Sequence, residues 1–115
     1  ERAGTGRGRV GGEALVRARR MLDAASDHDR RAQAKTALIQ GSSKARGAFS
    51  TSLDALTTLL HARVRAAADR GNARGATSAA RALDAVEEAK QRATGNVNPQ
   101  LITSELLRDL EALLT

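Results

Sequence analysis

Gly95-Asn96-Val97-Asn98-Pro99-Gln100-Leu101 joins the two most helix-like segments of this chain, and it reads as a stop followed by a restart. Gly95 closes a run rich in Ala, Glu and Lys, where a left-handed residue just past the last turn ends a helix. Asn96 continues the turn. Asn98 then offers a side-chain oxygen to the first free N–H groups of the next helix. Pro99 falls at the first helical position, where a fixed φ and a missing N–H do no harm. Two antiparallel helices are the expected product.

Working outward, apolar residues recur at helical spacing. Phe49, Leu53, Leu56, Leu60, Val64 and Ala67 are separated by 4, 3, 4, 4 and 3 residues, which predicts one buried face on a helix from about Lys44 to Arg70. Gly71-Asn72 ends it. A helix from about Ala76 to Thr94 carries a thinner stripe of Ala79, Leu83, Val86, Ala89 or Lys90, and Ala93, suited to close packing. The last helix runs from Pro99 to near Leu114, with Ile102, Leu106, Leu110 and Leu113 on one side and Leu101, Leu107 and Leu114 on a second. A helix apolar on two sides either lies centrally or meets a partner from another chain.

Upstream the pattern predicts a helix from Glu13 to about Ala25, with Leu15, Met21 and Leu22 apolar and Arg17, Arg19 and Arg20 outward. Ser26 is the expected N-cap of a second helix reaching Gln40, with Ala34, Leu38 and Ile39 inward; Gly41-Ser42-Ser43 breaks it. Residues 1–12, with five glycines and scattered arginines, read as a flexible lead, and residues 13–115 as one helical domain. Period-2 alternation is absent. The expected fold is therefore all-α, a single bundle of about five helices.

Composition narrows the function. The 115 residues contain no Cys, Trp or Tyr and one Phe, so the core is built from small aliphatic side chains and no disulfide or thiolate metal site can form. No apolar run approaches the roughly 20 residues of a membrane span, and no secretory signal is visible. A reducing, cytoplasmic setting fits, and the start at Glu1 reads as a piece of a longer chain. Charge is uneven: the net +6 divides into +4 over residues 1–20, +5 over 21–81 and −3 over 82–115. A basic body with an acidic end suits either solubility or head-to-tail contact between subunits.

Catalytic spacing is missing. The glycine run Gly4-Thr5-Gly6-Arg7-Gly8-Arg9 does not fit the GxxxxGK[ST] pattern of a phosphate loop and follows no predicted strand. His28, between Asp27 and Asp29, reads as part of a helix start, and His61 has Val64 and Arg65 where further ligands would be needed. Glu87 and Glu88 are adjacent on a helix and point about 100° apart, so they cannot act as a pair. The expectation is a non-enzymatic piece with no metal and no cofactor. Arg17, Arg20 and Arg31 are candidate phosphate contacts for an alternative reading, a small basic bundle that binds nucleic acid weakly or associates with itself.

Ala79-Ala80-x-x-Leu83-x-x-Val86-Glu87-x-Ala89, then Asn96-Val97-Asn98-Pro99-Gln100-Leu101 and Leu106-Leu107, resemble the C-terminal end of bacterial DNA polymerase III clamp-loader subunits, delta-prime above gamma/tau. Phe49-x-x-x-Leu53-x-x-Leu56-x-x-Leu59-Leu60 is similar to that family's preceding long helix. The resemblance implies a collar domain, a helical module that joins its counterparts in gamma/tau and delta subunits into the pentameric ring that loads the sliding clamp onto primed DNA during replication. It implies a scaffold with little or no DNA contact of its own. On that reading Leu101, Leu106, Leu107, Leu110 and Leu113 form the subunit interface, and Gly95, Asn96, Asn98 and Pro99 position it.

Overall fold

The computed structural model describes residues 5–40, 46–95 and 98–114, and the side chains of 12–40, 49–95 and 98–114. Five helices follow one another: α1 (Thr5–Ser26), α2 (Arg30–Gln40), α3 (Arg46–Asp69), α4 (Ala73–Ala93) and α5 (Pro99–Leu113). No strand occurs among the described residues, and the chain is the all-α five-helix bundle its periodicity predicts.

The long stripe on α3 is the spine of the core. Phe49, Leu53, Leu56, Leu60 and Ala67 are buried, and Val64 is half-buried. Each large side chain contributes about 1.5–3 kcal/mol by leaving water. α3 packs most extensively on α4, which meets it with Ala79, Ala82, Val86 and Ala89. These small residues let the two helices approach closely. α5 closes the bundle against α1, α2 and α4.

Helix ends follow the sequence at one corner and depart from it at others. Asn98 has extended backbone angles, its side chain accepts from the Gln100 N–H at 2.8 Å, and Pro99 occupies the first turn of α5. The sequence puts Gly95 in the left-handed region, yet Gly71 is the positive-φ glycine among the described residues. α4 stops at Thr94 instead. Its backbone remains right-handed, its N–H reaches the Lys90 and Gln91 carbonyls, and its hydroxyl donates to Gln91 at 2.7 Å. A threonine hydroxyl thus satisfies the last turn that a glycine would otherwise close. Asn96 and Val97, and the break at Gly41-Ser42-Ser43, lie outside the described residues.

Three further expectations are corrected. α1 begins at Thr5 and not at Glu13, since extending an existing helix adds one backbone bond per residue fixed. Ser26 ends α1 and does not cap α2; Asp29 is the cap, its carboxylate accepting from Ala32 N–H at 3.0 Å. The third concerns which face of α2 is inward. Gln33, Ala37 and Gln40 are buried, whereas Ala34, Leu38 and Ile39 face solvent. Polar bonds at the N-terminal end set this rotation. Gln33 Nε2 donates to the Ala24 carbonyl and to Glu111, both at 3.2 Å. With its amide satisfied, Gln33 stays inside, and Ala37 one turn later lets the helix sit close.

Candidate interaction surfaces

The leucines assigned to an interface divide sharply. Leu106, Leu107 and Leu110 lie in the core, with Leu107 0% exposed, so their own bundle consumes them. They are lost to any partner because α5 is wrapped by α1 and α2 on the side that the sequence leaves open. Leu113 is half-buried and Leu101 is 52% exposed. Of the five, Leu101 alone is an open apolar surface.

Large apolar exposure is concentrated elsewhere. Leu38 is 62% exposed and Ile39 51%, side by side on the outer face of α2; Val16, 51% exposed, lies on α1. Arg31 and Lys35 are exposed on the same face, two turns and one turn before the pair. Isolated exposed leucines are ordinary, and Leu38 and Ile39 stand out as two adjacent ones with a basic flank. Their adjacency and their basic neighbours are visible in the sequence. The rotation of α2 is not.

The three arginines named as phosphate contacts also separate. Arg17 is half-buried and its Nε donates to Ser52 Oγ at 2.7 Å, tying α1 to α3. Arg20 and Arg31 are exposed, on α1 and α2. The acidic end is partly neutralised by its own cations. Lys90 pairs with Asp54 at 3.2 Å and Glu87 at 3.3 Å, and Arg92 with Glu88 at 3.9 Å and with Glu105. Exposed pairs like these contribute little stability. Asp84 and Asp109 are exposed and make no ion pair among the described residues.

One polar cluster has no signature in the sequence. The chain between α1 and α2 brings His28 to Glu111 on α5, 83 residues away, with Nδ1 at 2.6 Å from Oε2. A carboxylate carries no proton, so the imidazole Nδ1–H is the donor. Arg30 Nε lies 3.1 Å from the other carboxylate oxygen, which also accepts from Gln33. The hydrogen bond from His28 first, then that from Gln33, and the charge of Arg30 hold the Glu111 carboxyl below the usual carboxylate range; partial desolvation opposes them. A histidine oriented by a carboxylate is half of a nucleophilic triad. The shallow pocket around it is lined by Arg30, Arg108 and Ala112, none of which is a nucleophile. The cluster's role is to fasten α2 to α5.

Among the described residues no three His, Cys, Asp or Glu side chains are grouped to hold a metal ion, and no helix is long and apolar enough to cross a membrane. Comparison of the chain with protein families, curated proteins and solved structures finds no match.

Proposed function

We propose that the chain is an assembly module, a delta-prime-like collar of a bacterial DNA polymerase III clamp loader that holds partner subunits together and does no chemistry itself. The observation that carries this reading is the Leu38–Ile39 pair, exposed on a helix whose other face, Gln33, Ala37 and Gln40, is buried. The resemblance of residues 79–110 to the ends of clamp-loader subunits supplies the identity of the partners, gamma/tau-type and delta-type chains in the cytoplasm. Where that resemblance is strongest, Asn98 caps α5 and Pro99 opens its first turn.

Charge supports a head-to-tail arrangement. Arg31 and Lys35 flank the apolar pair, and Asp84 and Asp109 are exposed on α4 and α5. A neighbouring subunit of similar build would lay its acidic end on this basic rim, and burial of the two apolar side chains would add the larger energy. Rim charges would steer encounter more than they tighten it.

Size-exclusion chromatography with purified gamma/tau-type and delta-type subunits tests the reading. The wild-type chain should co-elute with them. The double variant Leu38→Asp/Ile39→Asp should lose co-elution at unchanged helicity, because both side chains already face water. Absence of any complex with the wild-type chain, or a complex indifferent to both substitutions, would reject this assignment.

A further inference from the structure

The arginines picked out by sequence are not those that the fold gathers. Arg63 and Arg70 on α3, and Arg74 at the start of α4, line one open groove, together with Asn72 and Ser78, and Leu114 completes its wall. Arg63 and Arg70 are two turns apart on α3, roughly 10 Å along the axis. All three arginines are exposed, no carboxylate lines the groove, and none of the three forms an ion pair among the described residues. Some cations elsewhere are neutralised by the chain itself. Lys90, Arg92 and Arg30 each have a carboxylate within 4 Å.

We propose that this groove between α3 and α4 binds the phosphodiester backbone of nucleic acid without regard to sequence. The chemistry of the lining selects that ligand. Guanidinium groups fork onto phosphate oxygens, and Ser78 adds a hydroxyl donor beside them. No aromatic side chain lies there to stack a base: Phe49, the chain's one aromatic residue, is buried in the core. Between the arginines the walls are Ala66, Ala67, Gly75 and Ala79, small residues that leave the guanidinium groups as the main chemistry of the groove. The roughly 10 Å rise between Arg63 and Arg70 leaves room for the two side chains to contact different phosphates of a run. Arg63 and Ala66 also border a second shallow groove with Arg19 on α1, so the basic track continues past α3, with Asp23 as its single carboxylate.

The groove occupies a different face of the bundle from Leu38 and Ile39, so phosphate binding there does not depend on the collar assignment. Fluorescence anisotropy with a short mixed-sequence duplex, titrated at several salt concentrations, tests it. The triple variant R63Q/R70Q/R74Q is compared with R20Q/R31Q/K35Q, which removes the same amount of charge from α1 and α2. All six positions are exposed, so both variants should keep wild-type circular dichroism. The groove variant should bind at least about tenfold more weakly, and its log K against log salt slope should fall by about 3. R70Q alone should lower the slope by about 1. The control should keep most of the affinity and slope. Equal losses in the two triple variants, or no binding by the wild-type chain at low salt, would overturn the proposal. Displacement of duplex by polyglutamate at equal charge concentration would also overturn it, in favour of an acidic peptide.

Discussion

Two tight corners among the described residues, after α1 and after α3, share one backbone design and differ in the residue at its hardest position. After α3, Gly71 takes φ +73, its N–H reaches the Ala68 carbonyl at 3.0 Å, and the Asn72 N–H reaches Ala67 at 2.8 Å. After α1, His28 takes φ +56, its N–H reaches Ala25 at 3.2 Å, and the Asp29 N–H reaches Ala24 at 3.1 Å. Both are the paired-bond stop that places a left-handed residue just past the helix. An asparagine or aspartate then caps the next helix in each case: Asn72 accepts from Gly75 N–H at 2.9 Å, and Asp29 from Ala32 N–H at 3.0 Å. Glycine adopts the left-handed region freely, whereas a residue with a Cβ is strained there by about 1 kcal/mol. The first corner tolerates that strain because the His28 side chain offsets it by bonding Glu111. Both corners are closed by backbone bonds and a side-chain cap, and the first is in addition tied to α5 by His28.

The largest effect is expected from a charge buried under α5. Leu107 is fully enclosed, and Leu107→Asp puts a charge where a leucine was. The cost should exceed the ~2–5 kcal/mol of a simple Leu→Ala truncation, because an unpaired charge is added to the lost packing. That is a large share of the ~5–15 kcal/mol that holds a domain folded. Far-ultraviolet circular dichroism should show a large loss of helix. Hydrogen exchange should show amides of residues 28–33 opening before those of 70–75, since the second corner keeps its α3–α4 support. Full helicity in this variant would place Leu107 on a surface after all.

Next comes the left-handed residue itself. A Cβ at Gly71 would meet nothing within 4 Å, so Gly71→Ala tests conformation without collision and should cost about 1 kcal/mol. The mirror experiment compares two variants at the other corner. His28→Ala and His28→Gly both lose the bond to Glu111, and only alanine keeps the strain. His28→Gly should therefore be the more stable by about 1 kcal/mol, or about 4–8 °C in melting temperature. Equal stability of the two would mean that the first corner is not strained in the way the second one predicts.

These corners also mark what a sequence can and cannot disclose. Gly71-Asn72 is a glycine followed by a cap and is read at sight. Asp27-His28-Asp29 hides the same turn, because without a glycine nothing local marks the left-handed position, and the His28 partner lies 83 residues downstream. The same long-range cluster decides the rotation of α2. Apolar spacing points Ala34, Leu38 and Ile39 inward, but Gln33 is held inside by Ala24 and Glu111, and a rotation set by polar partners leaves no periodic trace. On α3 and α4 the buried stripes are legible, because each is fixed by many apolar contacts on one face. For the surfaces the outcome is nearly inverted. The α5 leucines read as interface and are mostly core, while Leu38, Ile39 and the arginines gathered by the α3–α4 crevice become visible only once the helices are placed.

The gentlest test uses acid to separate the two corners. Glu111 has its carboxyl pKa lowered in the folded chain from an ordinary value of 4.5, chiefly by the hydrogen bonds from His28 and Gln33. A carboxyl with a depressed folded pKa binds its proton more readily when the chain is unfolded, so its ionised form favours the folded state. That contribution is present above pH ~4.5 and disappears as pH falls through the lower folded value. Glu111→Gln keeps the shape and removes the charge. It should melt below the wild type at neutral pH, and the gap should narrow steadily as melts are repeated below pH ~4.5. In a Gly71→Ala background the gap and its pH dependence should be unchanged, since that corner has no titrating partner. A gap that persists undiminished at about pH 3 would show that Glu111 acts through packing and not through its charge, and the first corner would then be as independent of pH as the second.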